Sequence, residues 1–126
     1  GEGLSSVVTL TVNAPVHFKV RSKKELVRRG GIAALQCTAH GDLPITLSWR
    51  KEGSFIDLGG RISMKNSTVP GGLVSELSVR NVRTDDSGVY TCIGRNHFGQ
   101  DQTTLHLLVQ AYVEWFTRGI LDQKVQ

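Results

Sequence analysis

Cysteine and aromatic residues are both in short supply in this chain. It holds two cysteines, and aromatics make up only 6% of its 126 residues. Two cysteines cannot close a four-ligand zinc site, and a core with so few rings must be filled mainly by aliphatic side chains. No apolar run is long enough to span a membrane, and no stretch has the layout of a signal peptide. A secreted origin would therefore make this a piece of a longer protein. The total of 39% hydrophobic and 21% charged residues is that of a globular chain able to pack a core.

Catalytic equipment is missing too. The four histidines (His17, His40, His97, His106) are scattered, without a metal-ligand spacing. Ser87 lies beside Asp85 and Asp86, but no nucleophile elbow surrounds it. The glycine pairs 30–31, 59–60 and 71–72 fall where turns are expected, and none forms a phosphate loop. We expect no enzyme, no metal and no cofactor.

The net charge of +4 is concentrated locally. Lys19, Arg21, Lys23, Lys24, Arg28 and Arg29 occur within one short stretch, opposed only by Glu25. Such bases suit an edge strand, where they discourage sheet-to-sheet aggregation. The functional alternative is a patch for sulfated glycans or acidic lipid heads. No nucleic-acid motif accompanies them.

Several segments alternate with the period of a half-buried strand. Ala33, Leu35, Cys37 and Ala39 share one phase, as do Ile45, Leu47 and Trp49, then Leu77 and Val79, then Leu105, Leu107 and Val109. Cys92 follows Tyr90 by two residues in "DDSGVYTC". On spacing alone the cysteines could be free thiols. The order Cys, Trp on the next strand, then Tyr-x-Cys resembles the immunoglobulin fold: an all-β, two-sheet Greek-key sandwich. That resemblance implies a disulfide between Cys37 and Cys92 across the sheets, covered by Trp49, and an oxidising compartment. It also implies a tyrosine corner at Tyr90 and a bridge between Arg61 and Asp86 below the core.

The opening "GLSSVVTLTVNA" repeats the logic of "GQDQTTLHLLVQA" near the end. Residues 1–14 are accordingly expected to be the last strand of a preceding sandwich, and 15–110 a complete intermediate-type (I-set) domain. Three stretches together, "GLSSVVTLTVNAPVHF", "VRRGGIAALQCTAHGDLPITLSW" and "DDSGVYTCIGRNHFGQDQTTLHLLVQ", resemble the Down syndrome cell adhesion molecule (Dscam) family, at the immunoglobulin domain preceding its fibronectin type III repeats. "CIGRNHFG" resembles the common C-x-A-x-N-x-x-G ending and departs from it at Gly94, where alanine is usual. The resemblance implies the ectodomain of a neuronal, and in arthropods also immune, cell-surface receptor that works by homophilic binding. This domain would be a spacer among neighbouring immunoglobulin and fibronectin type III domains. A cytoskeletal immunoglobulin domain with reduced cysteines is the alternative, and a glycan binder using the basic strand is another.

Residues 111–126 depart from the family. Tyr112, Trp115, Phe116 and Ile120 suit one face of a short helix, against which stands an unordered end. Asn66-Ser67-Thr68 is an N-glycosylation pattern, expected on an exposed turn before Pro70-Gly71-Gly72.

Overall fold

The computed structural model describes residues 13–110. The expected strand at 1–14, apart from its last two residues, and the tail at 111–126 lie outside them.

Eight strands follow one another: β1 (Ser22–Arg28), β2 (Ala33–His40), β3 (Thr46–Lys51), β4 (Ser54–Phe55), β5 (Ile62–Val69), β6 (Gly72–Val79), β7 (Gly88–Asn96) and β8 (Gly99–Gln110). A 3-10 turn, Thr84–Asp86, precedes β7. The strands form a five-stranded sheet in the order β1-β8-β7-β3-β4 and a three-stranded sheet in the order β2-β6-β5. Alternation decides which side chains meet between them. Ala33, Leu35, Cys37 and Ala39 from β2 and Leu77 and Val79 from β6 face Leu47, Trp49, Tyr90, Cys92, Leu105, Leu107 and Val109 of the other sheet, all buried. Aliphatic side chains fill most of this core, as the scarcity of aromatics requires.

The segment before β1 changes sheets. His17 bridges to His40 of β2, whereas β1 pairs in parallel with β8, Ser22 opposite Thr104 through Arg28 opposite Gln110. Val16 and Phe18, on either side of His17, are both buried. The basic strand is therefore an edge strand, hydrogen-bonded on one side only.

Two expectations need correction. Asn66 is not in a turn: it lies within β5, because all eight residues of "ISMKNSTV" pair with β6. Gly72 is likewise a strand residue, the first of β6, and a Cβ there would fall on the Ala39 carbonyl. The turn is confined to Pro70 and Gly71, where Gly71 takes φ +79°.

Candidate interaction surfaces

The inter-sheet pin comes first, since it positions the surfaces. Cys37 and Cys92 are joined by a disulfide, with Cα atoms 6.5 Å apart. Trp49 sits directly opposite Cys92 on β3 and donates its indole N–H to Ser75 Oγ at 2.9 Å. Ser75 is wholly buried and gives that indole its partner. At the corner before β7, Tyr90 Oη donates to the Asp86 carbonyl at 2.6 Å. Burial, and then the nearby Asp86 carboxylate, push this phenol up to about 12, so it stays a donor at working pH.

Arg61 and Asp86 form a bidentate pair, at 3.0 and 3.2 Å. Asp86 also accepts the Arg83 backbone N–H at 2.7 Å. Burial alone would raise this carboxyl. The hydrogen bonds from Arg61 and Arg83, with the guanidinium charge, outweigh it and hold Asp86 below its ordinary 3.8. Arg61 is raised in turn, first by its hydrogen bond to Asp86. Ser87 Oγ accepts the Val109 N–H at 2.8 Å, which accounts for this serine without catalysis.

The six bases do not form one patch. Arg21 pairs with Asp101, whose carboxylate also accepts the Phe18 N–H at 2.9 Å. Burial raises the Asp101 carboxyl, but the Arg21 hydrogen bond and two backbone N–H groups bring it below its usual range. Along β1 the side chains alternate, so Lys23 and Lys24 face opposite ways. Lys19 and Lys23 line a groove of about 340 Å³ with His40, Gln36 and Thr38, floored by Phe18, Cys37 and Leu105. Lys24 lies on the outer face, near Leu26, His106 and Leu108. Arg28 ends β1, and Arg29 lines a separate hollow with Arg83 and Asp85. Lys23 is 3.1 Å from Glu25. The His17 and His40 rings stack at 5.5 Å. Burial first, then Lys19 and His17, lower His40 from its ordinary 6.5.

One cluster escaped the sequence reading. Asn96 Nδ2 donates to the carbonyls of Ala14 and Asp42 at 2.9 and 3.0 Å. Its Oδ1 accepts the N–H groups of Val16 and Phe98. Asp42 and Ala14 exchange two more hydrogen bonds, Asp42 N–H to the Ala14 carbonyl and Ala14 N–H to Asp42 Oδ2. The incoming chain is thus fastened to the β7–β8 hairpin. The only hint in the sequence was the asparagine of "CIGRNHFG".

The fold, pin and corner find their counterpart among known proteins: residues 16–109 match the immunoglobulin I-set domain. The chain belongs to the I-set family. The chain is 33% identical to cell adhesion molecule Dscam1 of Drosophila melanogaster over 126 residues, 98% of this chain and 6% of that protein. It is 36% identical to Drosophila Dscam2 over 113 residues, 87% of this chain and 5% of that protein. Human DSCAM is 30% identical over 111 residues, 87% of this chain and 6% of that protein. The chain thus spans a small fraction of the length of these relatives. Among solved structures, titin domain M7 superposes with a TM-score of 0.66 at 27% identity, over 79% of this chain and 98% of that one. A chimeric titin Z1Z2 does so with a TM-score of 0.67 at 25% identity, over 79% and 98%. Among the described residues no group of three or more His, Cys, Asp or Glu could hold a metal ion, and no helix is long and apolar enough to cross a membrane.

Proposed function

We propose that this I-set domain is a spacer module in the ectodomain of a Dscam-like cell-surface adhesion receptor, with partner recognition carried by other domains of the array. One observation carries the reading. The chain comes in beside the β7–β8 hairpin, fastened by Asn96, and runs out at the far end of β8, where Arg29 N–H bonds the Gln110 carbonyl. The two attachment points lie at opposite ends of a twelve-residue strand, about 40 Å apart at strand rise. That arrangement suits modules strung in series between neighbouring immunoglobulin and fibronectin type III domains. The disulfide fits an extracellular, oxidising location rather than a cytoskeletal one. The titin structures share the fold, which does not carry function by itself.

Sedimentation velocity of the 126-residue chain over a wide concentration range tests the spacer role. A monomer throughout is expected; concentration-dependent dimers would place a homophilic surface on this domain. Thiol labelling of the protein from its native source tests the compartment: protected Cys37 and Cys92 are expected, and free thiols would favour the cytoskeletal alternative.

The groove at Lys19, Lys23 and His40 favours a second reading, a site for sulfated glycans. Lys19→Glu with Lys23→Glu should abolish salt-sensitive heparin retention, whereas Lys24→Glu on the opposite face should lower it only slightly. Equal effects would rule the groove out.

A further inference from the structure

Asn66 occupies an unusual place for a glycosylation pattern. It is exposed near the middle of β5, an edge strand of the three-stranded sheet. Its register partner on β6 is Ser75, and that of Met64 is Leu77; both partners are fully buried. Residues opposite one another in an antiparallel ladder share a face. Asn66 and Met64 therefore stand on the inter-sheet side, at the open flank of the sandwich. Across that flank lie β4 and the loop after it. Ile56, Leu58 and Met64 rim a trough of about 190 Å³ whose wall includes Trp49, while Phe55, the register partner of Arg50, lays its ring under that guanidinium on the outer face. Leu58 is 51% exposed and Met64 36% exposed, so the trough holds apolar surface that this domain leaves uncovered. It is smaller than the roughly 300 Å³ or more of a site for a drug-sized ligand, and suits a single sugar ring.

We propose that Asn66 carries an N-linked glycan whose first N-acetylglucosamine lies in this trough, against Met64 and Leu58. The inference rests on the secretory route of the proposed function. The oligosaccharide comes from a lipid-linked sugar diphosphate in the secretory pathway. Asn66 Nδ2 attacks C1 of the first sugar and the N–C1 bond forms. The C1–O bond breaks, the lipid diphosphate leaves with its electron pair, and the amide gives one proton to a base of the transferase. Thr68 supplies the hydroxyl at the required position.

Two residues along a strand cover about 7 Å, so a sugar on Asn66 reaches Met64 without distorting β5. Its C–H face and N-acetyl methyl would cover the rim apolar atoms, while its hydroxyls stay in water. The rest of the glycan would stand before the free edge of β5, whose unpaired N–H and C=O groups otherwise offer a template for another strand.

The test uses the whole chain secreted from animal cells. Intact mass should show one glycan, lost in Asn66→Gln and in Thr68→Ala and kept in Thr68→Ser. Three forms are then melted: the full glycoform, the form trimmed enzymatically to one N-acetylglucosamine, and the bare form. The trimmed form should match the full one, and the bare form should melt about 3 °C lower. In Leu58→Ser, an exposed position whose change should leave the fold intact, that gap should close. A secreted chain without the glycan overturns the proposal, and so do equal melting points for the three forms. Secretion is imposed in this experiment, so these failures are distinct from free thiols in the native protein, which would overturn the adhesion reading instead.

Discussion

Arg61 and Asp86 show how a single pair can be worth more when broken than when made. Their attraction is offset by desolvation, but a lone Asp86, only 9% exposed at its side chain, has nowhere to put its charge. Arg61→Met should lower stability at pH 7 by leaving the Asp86 carboxylate without its cation, with the partial exposure of Arg61 keeping the loss below that of a fully buried pair. Asp86 sits below its ordinary 3.8 in the folded chain, as does Asp101. Their stabilisation is complete above that value and is lost as pH falls through the folded values. Urea unfolding should therefore show the gap between wild type and Arg61→Met shrinking below pH 4, once Asp86 is protonated in both. His40 acts in the same direction at higher pH: lowered from 6.5, it favours the neutral ring when folded, so acidification below 6.5 begins to favour unfolding. His40→Gln should flatten the melting temperature between pH 7 and 5.5. Gly94 explains its own departure from the usual alanine. A Cβ there would stand 3.1 Å from Leu47 Cδ2 and Val16 Cγ2, and 3.2 Å from Phe18 Cζ. Gly94→Ala should cost about 1 kcal/mol, and Phe18→Leu beside it should recover part of that in a double-mutant cycle.

At the level of elements, the strands with one buried face were legible and the others were not. β2, β3, β6 and β8 show inward alternation because each packs a full row on the core, and Trp49 and the cysteines punctuate that row. β5 offers no such row, since none of its residues is buried. Asn66, Ser67 and Thr68 therefore read as turn formers, although the ladder to β6 holds them extended. Lys23 and Lys24 look like one patch in sequence and part to two faces by the strand's own period. The Asn96 fastening leaves no periodic trace, because its partners are backbone groups at residues 14, 16 and 42. Gly72 is the clearest position where backbone approach overrides turn chemistry: an added Cβ would lie 1.9 Å from the Ala39 carbonyl oxygen. Gly72→Ala should cost more than about 2 kcal/mol by pushing β2 and β6 apart, whereas Gly71→Ala should cost less, through its positive φ alone. Chemical denaturation of both variants checks the order.

For the molecule as a whole, the parallel pairing of β1 with β8 has a mechanical consequence. Tension applied between the two ends pulls β1 one way along its axis and β8 the other. The hydrogen bonds joining Ser22–Arg28 to Thr104–Gln110 are then loaded side by side rather than one after another. A ladder sheared in this way must give at all its rungs together, unlike a hairpin peeled from its tip. Single-molecule pulling through the termini should meet more resistance than pulling across the β5–β6 hairpin, and Val27→Pro, which deletes one rung, should erase much of the difference. In the proposed adhesion array, such a module would resist traction along its length.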